Sequence, residues 1–401
     1  MPKTKIETWL ALLAVAVGLG LIAIAGLWVY VSATATPLHP NAQGVPSVPR
    51  AAPAPKWLDA AEHGRQIVRA RLAEQNWPGV SVAVGIDGEI VWAEGFGFAT
   101  IESQQKVTPD TRFRIGTAST VLTSAAAGLL LEKGLLNLDE PIQTHVPEFP
   151  EKQWPVTLRQ VMGHLAGLPN DGGDEGPLFA PHCDRPVEAI QYFSGRALRF
   201  EPGTDFRVSN FGWILVSAAI EAAAREPFLI FMRKQIFEPL GMEATEIDSA
   251  TPDRATPYFP RFAADPRYGP DVMRDLNLSC YAGASVFLST PADLVRFAMA
   301  IKSGKLLQPA TVQLLQTSLR TSSGQETGYG LGWDLETVTL AGQQVRAAGH
   351  DGEVLGGMLA SLLTFPENNI VVAVTANTSY ADTFGLASTI AEAFTERRRK
   401  N

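Results

Sequence analysis

The stretch "FRIGTAST", Phe113–Thr120, leads into "VLTSAAAGLLLEKG". Small and apolar residues run through this segment almost without interruption, which predicts a buried helix ending at glycine. The residues at its mouth are Thr117, Ser119 and Thr120. A helix mouth presents backbone N–H groups without intrahelical partners. The hydroxyl side chains beside them make this the first place to look for chemistry.

Upstream, "WLDAAEHGRQIVRARLAEQ" has apolar residues at helical spacing and gives way at Pro78 to "GVSVAVGIDGEIVWAEGFGFAT". Two β-rich runs flank Asp87-Gly88 there, a strong hairpin signal. Downstream, "TLRQVMGHLAG", "NFGWILVSAAIEAAARE", "FLIFMRKQIFEPLG" and "PADLVRFAMAIKSG" predict amphipathic or buried helices. Strands return in "GYGLGWDLET", "QQVRAAGHDG", "GGMLASLLTF" and "NIVVAVTAN", and "ADTFGLASTIAEAFTERRR" closes the chain as a helix with a basic last turn. Strands at both ends with helices between them predict an α/β (α+β) fold. N- and C-terminal strands form one antiparallel sheet flanked by helices, and the middle of the chain forms an inserted, mainly helical lobe. A cleft between lobes is the usual place for a ligand.

At the N-terminus, Leu10–Val31 is an unbroken apolar run without a charge. That meets the roughly 20 residues a helix needs to cross about 30 Å of hydrocarbon. Lys3 and Lys5 precede it and no basic cluster follows closely, which predicts a cytoplasmic N-terminus (1–9), a transmembrane anchor (10–31) and an extracytoplasmic body. The bacterial periplasm is the expected compartment, with a mitochondrial intermembrane location as the alternative. The small-residue segment "SATATP" leaves cleavage near Ala35 as the alternative. Residues 32–56 are rich in Pro and Ala and predict a stiff spacer, with the folded domain at 57–401. A net charge of −8 excludes a general affinity for nucleic acid. The two cysteines, Cys183 and Cys280, fit either one disulfide or two buried thiols, and their spacing is not that of a zinc site.

Nine segments, among them "TRFRIG", "LLLEKGLLNLDEPI", "FEPGTDFRVSNFGWILVSAAIE", "IFEPLGM", "LSTPADLVRFAMAI", "GYGLGWDL" and "GHDGEVLGG", fall in the order seen in the serine β-lactamase-like family. The chain resembles that family from Trp57 to Arg398. The family includes class C β-lactamases, D-alanyl-D-alanine carboxypeptidases and related esterases. The resemblance implies a β-lactamase/transpeptidase-like fold and acyl transfer through S-x-x-K at a helix mouth, Y-x-N on the other lobe and a K-T-G or H-x-G triad on the facing strand. It implies neither a metal nor an organic cofactor.

Carried onto this sequence, the serine position is Thr117, the lysine position Thr120 and the tyrosine position Val208, while Asn210, His350 and Gly352 are kept. Reading Ser119 as the nucleophile instead puts Leu122 at the lysine position. A hydroxyl is a weak nucleophile without an adjacent base, and a general base is worth roughly 10² to 10⁴ in rate. Two functions follow as expectations. One is a membrane-anchored pseudoenzyme whose cleft binds a peptide, cell-wall fragment or protein without turning it over. The other is a rewired hydrolase in which His350, oriented by Asp351, serves as base for Thr117. His164 is expected to pack the inserted lobe. His182 beside Cys183 supplies too few ligands for zinc, and the acidic stretch Asn170–Pro177 is expected to be a loop over the cleft. "TERRRKN" is expected to be a solvated helix end, with acidic lipid headgroups as the alternative partner.

Overall fold

A computed structural model of the chain describes residues 3–170, 182–249, 251–354 and 357–400. The acidic stretch expected over the cleft lies, from residue 171 on, outside them. The apolar N-terminal run is one helix, α1 (Lys3–Thr34). Among the described residues it is the one helix long and apolar enough to cross a membrane, over Thr8–Thr34.

The folded body is built on β1 (Ser47–Pro49), β2 (Gly79–Ile86), β3 (Glu89–Thr100) and β4 (Gln105–Lys106) from the N-terminal side. Two short sheets follow: β5 (Phe113–Arg114) with β6 (Glu246–Ile247) and β9 (Phe287–Ser289), and β7 (Tyr258–Pro260) with β8 (Pro270–Val272). The C-terminal strands are β10 (Asp334–Leu340), β11 (Gln343–Val354), β12 (Met358–Phe365) and β13 (Ile370–Ala376). The main sheet runs β1-β3-β2-β13-β12-β11-β10, with β4 on β3. The two ends of the chain join where β13 pairs antiparallel with β2, Ala373 opposite Ala83. At the tip of the β2–β3 hairpin Asp87 and Gly88 both take positive φ, 51° and 89°, as a type I′ turn requires. Every residue of β2 and β13 is buried, because helices cover both faces.

On one face lie α2 (Leu58–Gln75) and the C-terminal helix Thr383–Lys400. On the other lie the helix Pro291–Lys302 and the helical lobe, whose core includes α3 (Ser119–Glu132) against the helix Asn210–Ala224. Small residues at Ala125, Ala126, Ala127 and Gly128 let α3 sit inside this lobe, buried from Ser119 to Gly128. Cys183 and Cys280 are bonded, their Cα atoms 4.9 Å apart, which settles the two readings of the cysteines in favour of the disulfide.

The segment expected to be a spacer lies along the body. Asn76 Oδ1 accepts from Leu38 N at 2.8 Å, His39 Nε2 lies 3.1 Å from Trp77 O, and the His39 ring stacks on Phe98. Ser47–Pro49 then adds a strand to the edge of β3. Pro49 suits an edge position, which needs few backbone donors. Two arginines of the last turn are held by the body: Arg397 pairs with Asp59 and Arg398 with Asp87, each at 2.9 Å.

Candidate active-site cleft

The cleft is assembled where β11 crosses the mouth of α3. Phe113 and Arg114 enter as strand β5, paired with Ser289 and Leu288. The chain then turns at Gly116, φ 53°, into a 3-10 turn, Gly116–Ala118, that feeds α3. Gly352 on β11 lies so close to this turn that a Cβ there would stand 1.9 Å from Ile115 O and 2.6 Å from Ala118 N. Only a residue without a side chain permits the approach. It is this approach that lays β11 alongside Thr117, whose hydroxyl donates to the backbone oxygen of Asp351 at 3.1 Å.

Thr117 is half-buried, whereas Ser119 and Thr120 are closed off from solvent. Thr120 points at a phenol that sequence reasoning did not single out. Tyr329, from "GYGLGW", is buried, and its hydroxyl lies 3.1 Å from His350 Nε2. Thr120 Oγ1 and Trp213 Nε1 flank the same phenol without closing a hydrogen bond of standard geometry. Burial, with the nearby Asp334 carboxylate as the next cause, raises the Tyr329 pKa well above its ordinary value. The phenol therefore stays protonated at neutral pH.

His350 is buried and both its ring nitrogens are engaged. Nδ1 lies 2.6 Å from the Asp351 backbone oxygen, which can only accept. In the neutral ring that places the proton on Nδ1 and leaves Nε2 to accept from Tyr329. The residues expected to cooperate as a rewired base are thus brought together, but with other partners. Thr117 and His350 share the Asp351 carbonyl and do not bond each other. The Asp351 side chain does not orient the imidazole either. Strand alternation sends it to the opposite face of the sheet from His350, beside Ser361, its cross-strand neighbour on β12. There burial, with the Asp334 and Asp382 charges adding to it, pushes its pKa up to about 6.

The second expected motif sits at the start of the helix Asn210–Ala224. Val208 is 51% exposed at the rim. Ser209 caps the helix, accepting from Gly212 N and donating to Pro169 O at 2.6 Å. Asn210 N donates to Asn170 Oδ1 at 2.8 Å. His164 joins this motif to the third: its Nδ1 accepts from Ser209 N at 3.2 Å, and its ring lies 4.8 Å from that of Tyr329. Complete burial, together with the His350 charge, lowers its pKa to about 3. His164 is a neutral packing group, as the sequence suggests. One signal could have found Tyr329: "GYGLGWDL" is an aromatic in a glycine-rich turn, and Gly328 and Gly332 both take positive φ, 70° and 93°.

No group of three or more His, Cys, Asp or Glu side chains is placed to hold a metal among the described residues. His182 is exposed beside Asp184, and its neighbour Cys183 is consumed by the disulfide.

The beta-lactamase family pattern matches residues 65–395. This chain belongs to the beta-lactamase family. Among curated members, the serine beta-lactamase-like protein LACTB, mitochondrial, of Mus musculus is 27% identical, the match covering 81% of this chain and 76% of that protein. Penicillin-binding protein 4* of Bacillus subtilis is 25% identical over 69% of this chain and 64% of its own. The octameric penicillin-binding protein homologue from Pyrococcus abyssi superposes with a TM-score of 0.69 at 24% identity, covering 82% of this chain and 75% of that one. The fold expected for the beta-lactamase family is the fold found, sheet and helical lobe alike.

Proposed function

We propose that this chain is a membrane-anchored pseudoenzyme of the beta-lactamase family. Its extracytoplasmic cleft binds a peptide, a cell-wall fragment or a protein partner and does not carry out acyl transfer. The observation that carries the reading is the hydrogen-bonding state of the helix mouth. Thr117 spends its hydroxyl proton on a backbone carbonyl, and the lysine position holds Thr120, which has no basic group. His350 has its two ring nitrogens committed to Tyr329 and to the Asp351 backbone. A base must come within about 2.6 to 3.2 Å of the proton it takes, and none of these groups offers a free lone pair to Thr117. For placement in the bacterial periplasm, the support is Lys3 and Lys5 ahead of the apolar helix and a disulfide in the body, which belongs to an oxidising compartment.

The test uses the full chain in detergent, treated with a fluorescent penicillin, a chromogenic cephalosporin and short-chain p-nitrophenyl esters. No adduct on Thr117 and no turnover above that of Thr117→Ala are expected. The triple variant Thr117→Ser, Thr120→Lys, Val208→Tyr is expected to acylate, with a gain of at least about 10² from the restored base. Mass-spectrometric detection of a covalent adduct on Thr117 of the unaltered chain would overturn the reading. Retained binding is read as a rise in melting temperature with cell-wall peptides, since a ligand that prefers the folded state must stabilise it.

A further inference from the structure

The membrane helix is bonded to the body at a point below its own end. Trp28 Nε1 donates to Tyr268 Oη at 3.0 Å, and Arg261 donates to Thr34 O and Oγ1 at 3.2 and 2.8 Å. Val31, between them, is buried. Trp28 precedes Thr34 by six residues, so the Tyr268 contact lies about 9 Å back along the axis toward the lipid. If α1 spans the bilayer, that depth is the headgroup layer, where tryptophan and tyrosine concentrate.

Tyr268 and Arg261 belong to one arm, the β7–β8 ribbon and the loop between its strands. The arm is rooted in the main sheet, because buried Tyr258 takes Asn377 O through its backbone N–H at 3.0 Å and its hydroxyl donates to Glu102 at 2.7 Å. Away from that root, Phe262 and Tyr268 stack edge to face with ring centres 5.6 Å apart. Ala263 and Ala264 form an exposed tip in the left-handed region, φ 55° and 52°. Val272 on the same ribbon is 56% exposed.

The tether between helix and body is short. Thr34 ends the helix and Leu38 N is already bonded to Asn76. Four residues of extended chain reach about 14 Å at most, so the body cannot stand off from the bilayer on a stalk.

We propose that the arm Tyr258–Val272 is the membrane-contacting face of the body, its Phe262–Tyr268 tip seated in the phospholipid headgroup layer beside the domain end of α1. The proposal rests on the reading of α1 as an anchor, and the experiment separates the two. Both native cysteines are in the disulfide, so single labelling sites can be added to the full chain. An environment-sensitive fluorophore is placed at Ala264→Cys, at Leu21→Cys in the middle of α1, or at Glu151→Cys on the helical lobe. Each protein is reconstituted in phosphatidylcholine vesicles carrying a nitroxide either on the headgroup or deep in the acyl chain.

The headgroup nitroxide is expected to quench the Ala264 probe at least twofold more than the Glu151 probe, and the acyl nitroxide to quench the Leu21 probe. Adding Phe262→Ala and Tyr268→Ser is expected to remove about half of the Ala264 quenching and leave the Leu21 signal unchanged. Quenching at Leu21 with equal, weak quenching at Ala264 and Glu151 would sink the arm and leave the anchor standing. No quenching at Leu21 would sink the anchor and the arm with it.

Discussion

On the Gly352 side of the helix mouth no carbon can be added without meeting backbone, whereas on the Val208 side a hydrocarbon side chain stands half in solvent. Gly352 meets backbone: Ile115 O and Ala118 N leave no room for a Cβ. Val208 and Thr117 are open to solvent, and on the motif reading proposed above they stand where the family's side chains would act on a substrate. The difference is physical. A strand laid on a helix mouth is part of the fold, and any change there is felt in stability. A side chain whose partner is a ligand contributes nothing to the folded state while that ligand is absent, so its loss leaves the scaffold unchanged. The same contrast separates His164, Tyr329 and His350, which are locked together, from the mouth they surround.

The sharpest way to break the comparison is to disturb the backbone contact. Gly352→Ala is expected to cost about 3 kcal/mol or more, since overpacking typically costs 1–3 kcal/mol and here both opposing atoms are backbone. Urea denaturation of the detergent-solubilised chain checks it. A loss under 1 kcal/mol would mean that β11 moves freely over the helix mouth, and the rigid half of the contrast would fail.

Next in size is a pH effect from His164. Its folded-state pKa, about 3, lies below the ordinary 6.5, so on acidification the unfolded chain takes up a proton that the folded chain refuses. Stability is complete above pH 6.5 and falls as pH drops toward 3. Between pH 7 and 5 the loss is expected to be about 2 kcal/mol. Asp351, pushed up to about 6, works in the opposite sense, because its folded form holds a proton more tightly and its penalty fades as pH falls. The readout is therefore the change in pH slope on His164→Gln. Equal slopes in the variant and the parent would show that the ring is solvated.

Tyr329→Phe is smaller again. It removes the hydroxyl that His350 Nε2 accepts and leaves a buried acceptor unpaired, at an expected cost of about 1 to 2 kcal/mol. Imidazole nitrogen shifts should change at His350 as that lone pair is released. An unchanged spectrum would show that the phenol does not hold the ring.

Most of the fold was legible because its signals are local. The Asp87-Gly88 turn between two β-rich runs, and the apolar continuity of "NIVVAVTAN", needed no long-range knowledge. The family spacing leads to Thr117, Thr120 and Gly352 as expected site positions, and Gly352 does lie against the turn that carries Thr117. What the sequence hid was contact between distant segments. "GYGLGWDLET" was expected to be a short β run, yet the continuous strand begins only at Asp334, because the chain turns at Gly328 and Gly332 and folds back so that Tyr329 bridges Asp334. The Pro-rich stretch after α1 reads as a spacer from composition alone. It docks where Asn76 and Trp77, at the C-terminal end of α2, offer it hydrogen-bond partners.

The weakest perturbation is the most discriminating one for the contrast. Thr117→Ala deletes a half-exposed hydroxyl whose only described bond is to a backbone oxygen, and Val208→Tyr enlarges a side chain at an open rim. Exposed substitutions away from caps, cores and networks stay within about 0.5 kcal/mol, and losing one partly solvated hydrogen bond costs about 1 kcal/mol at most. Both variants are expected to unfold within about 1 kcal/mol of the parent, by the same urea titration that reads Gly352→Ala. If instead Thr117→Ala loses 2 kcal/mol or more, its hydroxyl is holding β11 to the helix mouth. The threonine would then be a structural replacement for the serine position, retained for the bond to Asp351 O, and the boundary between framework and cleft would have to be moved inward by one residue.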